Sequence, residues 1–104
     1  MVENANGWSL VSSHGSVLFV IALNPGITIK DLAKELSLTQ RTIWGIIGCL
    51  RRANMLQVRR EGRQHHYWVN LEAPFLHPII KGITLKVVLG ELISQQKEVP
   101  EQAS

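Results

Sequence analysis

The sequence predicts an α+β domain, mainly helical, with one two-stranded β-hairpin and a long C-terminal helix. Three observations carry that prediction. Capping residues at Ser12 or Ser13, at Thr28 and at Thr39 each open a run of apolar residues with a helical rhythm. Between Met55 and Asn70 the rhythm changes, and two runs rich in branched and aromatic residues, MLQVRR and HHYWVN, flank Glu61-Gly62-Arg63-Gln64. Beyond Pro78, apolar residues return at helical spacing as far as Lys97. With 104 residues, 45% of them hydrophobic, the chain has material for one core and none to spare for a second.

The first helix runs through VLFVIAL and stops at Asn24-Pro25-Gly26, because proline cannot continue a helix and glycine turns the chain. It is apolar almost all round, so it must be covered on several sides. The second begins at Thr28, with Asp31 in a capping-box-like position and a stripe of Ile29, Leu32, Ala33 and Leu36. After a break at Ser37-Leu38, the third helix is capped by Thr39 and carries Ile43, Ile46, Ile47 and Leu50 at i, i+3, i+4 and i+7. Asn54 ends it, since asparagine tolerates the left-handed backbone that follows a helix. The expected division is a flexible segment over 1–11, a domain over 12–70, a connector over 71–78 with two prolines, a helix over 79–97 and a flexible tail over 98–104.

The formal charge of +3 is unevenly spread. From Thr28 to Asn70 there are eight basic side chains against three acidic ones, and the rest of the chain has three against five. A basic middle with mildly acidic ends suits a polyanionic partner. Two short helices with a tight turn between them, the second exposing one face, form a helix-turn-helix, which seats its second helix in the major groove of DNA. The basic hairpin that follows reads as a wing, and the fold as a winged helix-turn-helix.

Residues 27–70, and in particular the run TIKDLAKELSLTQRTIWGIIGCLRRANMLQVRREGRQHHYWVN, resemble the winged helix-turn-helix transcriptional regulators of the MarR and ArsR kind. The resemblance lies in the second helix, in the helix from Gln40, in the helix-ending pair before Leu56 and in the REGR wing. It implies a homodimeric repressor or activator whose partner is double-stranded DNA. It also implies that Gln40, Arg41, Thr42, Trp44 and Gly45 fall where bases and phosphates are met, and Arg60, Arg63 and Gln64 on the wing; Thr39, at the cap of the same helix, is counted with the expected DNA-binding residues. Turning the third helix by about 100° per residue gives a similar surface independently: Arg41, Gly45, Gly48 and Arg52 lie opposite the apolar stripe, with Trp44 at the edge. Two glycines there cost about 1 kcal/mol each relative to alanine, which a close approach of the backbone to the groove would repay; close packing against another helix is the alternative. Trp44 and Gly45 stand where related proteins usually carry polar or basic side chains, which leaves Arg41 as the clear candidate for reading guanine. Arg59, Arg60 and Arg63, with His65, suit phosphates or the minor groove.

The first and last helices are greasier than one domain of this size can cover, so Leu18, Phe19, Ile80, Ile83, Val87, Val88 and Leu92 are expected at a homodimer interface. The longest charge-free apolar run, Ser16 to Leu23, is too short to span a membrane and has no basic segment before it, which predicts a cytoplasmic protein without a membrane partner. A lone Cys49 forms no internal disulfide and reads as a small buried hydrophobe; a redox role would need an exposed, acidic thiol. His14, His65, His66 and His77 lack ligand spacing, and adjacent His65 and His66 face opposite sides of a strand, so neither metal nor other cofactor is expected, and no pocket-forming constellation names an effector. No nucleophile elbow, phosphate-cradling glycine loop or carboxylate pair points to an enzyme. Trp8, Trp44 and Trp68 form a weaker case for single-strand stacking. The alternative function is a protein-interaction module within a larger assembly, which salt would separate from a DNA binder, because only the latter releases counterions.

Overall fold

The computed structural model describes residues 10–98, in the order α1 (Ser13–Leu23), α2 (Ile29–Leu36), α3 (Gln40–Arg52), β1 (Leu56–Glu61), β2 (Gln64–Val69) and α4 (Leu85–Glu98). Most of the two end segments expected to be flexible therefore lies outside the described residues. The chain is a winged helix-turn-helix with a C-terminal helix appended.

Each of the first three helices starts on a hydroxyl cap. Ser12, Thr28 and Thr39 accept hydrogen bonds from the backbone N–H of Gly15, Asp31 and Thr42 at 3.2, 3.0 and 3.1 Å. α2 and α3 both end on a left-handed residue, Ser37 at φ 57° and Asn54 at φ 61°. In each case the next two amides turn back in the Schellman pattern. Ser37 and Leu38 donate to the carbonyls of Lys34 and Ala33, and Asn54 and Met55 donate to those of Arg51 and Leu50. The turn between α2 and α3 is thus a capped, three-residue connection rather than a loose loop.

α1 touches α2, α3, β2 and α4, which explains its apolar circumference. Val17 and Ile21 are completely buried, together with Leu32, Ile43 and Leu89, and Ile46, Ile47, Leu50, Leu56 and Tyr67 complete the centre of the core. Among the described residues no charged side chain is buried. Burial pushes the Tyr67 hydroxyl above its ordinary pKa. β1 and β2 pair antiparallel from Leu56 opposite Val69 to Glu61 opposite Gln64. A two-residue turn, Gly62-Arg63, joins them, and Gly62 at φ 64° meets its need for a left-handed first residue.

The C-terminal helix corrects the sequence reading. It was expected from residue 79, but α4 begins at Leu85. Gly82 at φ 83° cannot belong to a right-handed helix. Before it, Nδ1 of His77 accepts from the amides of Ile79 and Ile80 at 3.1 and 3.0 Å, and after it Thr84 bridges to Pro74. The carbonyls of Ala73 and Leu71 take the first amides of α4, from Leu85 and Lys86 at 2.8 and 2.9 Å. Ile80 and Ile83 therefore lie on the connector and not on a helix. Leu18, expected at a dimer interface, is also corrected: at 3% exposure it is a core residue of the single chain, because α1 is covered by its own neighbours. Cys49 is exposed rather than buried, with its sulfur accepting from Arg52 Nη2 at 3.5 Å.

Candidate nucleic-acid interface

The exposed face of α3 carries the stripe Arg41, Gly45, Gly48 and Arg52, since Ile43, Ile46, Ile47 and Leu50 turn the other face into the core. A Cβ placed on Gly45 would meet nothing within 4 Å, so among the described residues no helix packs there. At Gly48 the added atom would lie 3.2 Å from Nη1 of Arg52, whose guanidinium folds back over the glycine. The close-packing explanation for the two glycines therefore finds no partner helix among the described residues; Gly45 is open and Gly48 gives room to the Arg52 guanidinium. Gln40, Arg41 and Thr42 are exposed at the start of α3. Thr39 is committed to the cap: its hydroxyl accepts from the Thr42 amide and donates to Thr42 Oγ1 at 2.9 Å.

The hairpin register sorts the wing residues onto two faces. Val58, Arg60, His65 and Tyr67 share the face toward α3 and the core; Gln57, Arg59, Glu61, Gln64, His66 and Trp68 share the outer face. On the inner face the ring of His65 meets Trp44 of α3 edge-on, with centroids 6.0 Å apart, and lies 6.5 Å from Tyr67. Trp44 and His65, both expected at DNA, thus also touch each other and link helix to wing. Arg60 Nε donates to the carbonyl of Gly62 at 3.4 Å, which holds it near the turn, and Arg63 and Gln64 are exposed at the tip.

On the outer face Arg59 sits over the ring of Trp68 at 5.4 Å, and Trp68 stacks with His66 at 6.2 Å. Glu61 lies 3.7 Å from Arg59 and 3.4 Å from His66 Nε2. Arg59 and Glu61 are well exposed, so their ion pair orients the side chains more than it stabilises the fold. Between β1 and the last turn of α3 runs an open groove of about 800 Å³, lined by Gly48, Arg51, Arg52, Gln57, Val58, Arg59 and Trp68 among others, with no acidic side chain in its lining. Sequence reasoning missed Arg51 and Trp68 here. The one signal available was the Arg51-Arg52 pair at the helix end, while the position of Trp68 depends on strand register.

A second cavity, about 540 Å³ and mainly apolar, lies between the start of α1, the end of α3 and residues 75–77. Of the residues expected at a dimer interface, Val87 is exposed, Ile80 is 46% exposed, and Phe19, Ile83, Val88 and Leu92 are half-buried. Among the described residues no group of three or more His, Cys, Asp or Glu side chains is arranged to hold a metal ion, and no helix is long and apolar enough to cross a membrane.

Residues 13–57, from the start of α1 into β1, match the model of the winged helix-turn-helix DNA-binding family. A crystal structure of a MarR family transcription regulator is similar over 93% of this chain, with 23% sequence identity and a TM-score of 0.49. This chain spans about half, 54%, of the length of that structure. No curated protein matches the sequence.

Proposed function

We propose that this protein is a transcription regulator that binds double-stranded DNA as a homodimer, with α3 in the major groove and the wing on the backbone or minor groove. The observation that carries the reading is the outward stripe of α3: Arg41, an uncovered Gly45, Gly48 under the Arg52 guanidinium, and Arg52 itself, with no acidic side chain on the helix and a mainly cationic wing beside it. Among the described residues no other element covers this face. The match of residues 13–57 to a DNA-binding family supports it. A cytoplasmic location belongs to the same reading, beside the DNA it would bind.

The test is binding to a mixed pool of duplexes at two salt concentrations, followed by sequencing of what is retained. A palindromic motif held with salt-sensitive affinity is expected, and no binding at low salt would defeat the reading in favour of an interaction module. Within the site, Arg41→Ala is expected to change base preference by about 1–3 kcal/mol at one position. Arg63→Ala should weaken all sequences alike and lower the salt slope by about 1. Equal behaviour of the two variants would count against that division of roles.

For the dimer, support comes from large apolar side chains that the chain leaves in water: Ile79 at 81%, Leu76 at 66% and Val87 at 59% exposure. Sedimentation at micromolar concentration should give twice the chain mass of 11.7 kDa. Val87→Asp and Ile80→Asp should return it to one. Two recognition helices would then address half-sites about 34 Å apart. A monomer in the unmodified protein would remove this part of the proposal.

A further inference from the structure

We propose that the loop of residues 76–82 is a dimerisation arm, with Ile79 of each copy seated in the apolar cavity of the other. The inference rests on the homodimer reading above and names the device that joins the two copies. The loop is closed at its base by a short antiparallel ladder. Pro74 bridges to Thr84, Phe75 donates to the carbonyl of Ile83 at 3.0 Å, and Leu85 donates to that of Ala73 at 2.8 Å. Inside that base the His77 ring stacks on Phe75, with 6.1 Å between centroids and 9° between planes. Its Nδ1 takes the amides of both Ile79 and Ile80. A segment tied in this way loses little conformational freedom on binding. Yet the side chains it holds in water are Leu76, Ile79 and Ile80, which burial of apolar surface alone would turn inward.

The receptor for this arm lies beside it on the same chain. Leu76 and His77 are part of the wall of the 540 Å³ cavity, together with Leu10, Phe19 and Cys49 among others. Projection and cavity are therefore neighbours, and a two-fold axis between them sets each Ile79 over the cavity of the other copy, as a closed isologous contact requires. Charge favours a second copy as the occupant. The cavity lining contains no Lys, Arg, Asp or Glu, and Lys81 is the one charged residue of the loop. Two copies of a chain with a formal charge of +3 repel each other, and a two-fold contact brings groups near its axis close to their own duplicates. A neutral apolar cavity with its own apolar projection lets the copies meet without that repulsion.

The experiment compares unmodified protein, Ile79→Asp, Ile79→Ser and a control, Leu23→Ser, which lies outside the cavity lining at the end of α1. Sedimentation over a concentration series gives the dimer dissociation constant, and the rate at which a small water-soluble maleimide alkylates Cys49 reports on the cavity. Both Ile79 variants are expected to raise the dissociation constant about 100-fold or more, since each dimer loses two seated side chains. Cys49 should react several-fold more slowly in the unmodified dimer than in either of them. Leu23→Ser should match the unmodified protein in both measurements, and circular dichroism melts should show all variants folded, because Ile79 lies in water in the single chain. A dimer that survives both Ile79 substitutions overturns the arm and leaves the homodimer standing. Monomeric Ile79 variants whose Cys49 reacts no faster overturn its seating in the cavity. A monomer in the unmodified protein overturns the arm and the homodimer together. Protection of Cys49 that is independent of concentration and ends in Trp8→Ala would assign the cavity to the chain's own first residues and overturn the arm.

Discussion

Ile43→Ala should destabilise the domain by about 2–5 kcal/mol. Ile43 is completely buried on the inward face of α3, where that helix meets α1 and α2, and every neighbour in the core is apolar. Removing most of its side chain costs the transfer free energy of the lost carbons and leaves a void that three capped helices cannot readily close. A small domain has about 5–15 kcal/mol in total, so this one change removes a large share and should lower the melting temperature by roughly 10 °C or more. Thermal or urea unfolding measures it. A loss below about 1 kcal/mol would mean that the helix-turn-helix pair is not packed through Ile43 as described.

Gly45→Ala should act with opposite signs on stability and binding. A methyl group at this position meets open space, so the helix gains the intrinsic advantage of alanine over glycine, about 1 kcal/mol, and the protein should melt several degrees higher. The same methyl projects from the face proposed to approach DNA and holds the backbone away from the groove. Duplex affinity should fall at least tenfold, which corresponds to about 1.4 kcal/mol. A variant that gains stability and keeps its affinity would show that the glycine does not meet DNA closely. Such a split would distinguish a residue retained for its surface from one retained for its packing, which a loss of both properties could not do.

Much of this fold was legible in the sequence because its signals are local. Thr28 and Thr39 cap the helices they were expected to cap, Asn54 takes the left-handed conformation, and Gly62 sits at the hairpin turn. The start of α4 was not legible. Apolar spacing from Ile79 onward looks helical, yet the backbone there is claimed by the His77 imidazole, by Gly82 at φ 83° and by a bridge between Thr84 and Pro74, and none of these leaves a mark on periodicity. The same distinction holds in the candidate site. Arg41 and Gly45 were found by turning a helix in steps of about 100°, but the contact of Trp44 with His65 and the place of Trp68 beside Arg59 depend on how the hairpin registers and where it leans. Leu18 was misplaced for a related reason: a helix apolar all round does not declare whether its cover comes from its own chain or from another.

Asn70 closes the hairpin in a way that reaches beyond the hairpin. Its side-chain amide donates to the carbonyl of Asn54 at 2.8 Å, and its backbone amide donates to the carbonyl of Met55 at the same distance. One residue thereby fastens the exit of the second strand to the cap of α3. The next residues, Leu71 and Ala73, hold the opening amides of α4. Helix face and wing are consequently hinged to a common anchor, and that anchor is also the mooring of the C-terminal helix. Three elements that share few contacts elsewhere, α3, the hairpin and α4, are thus joined through residues 70–73.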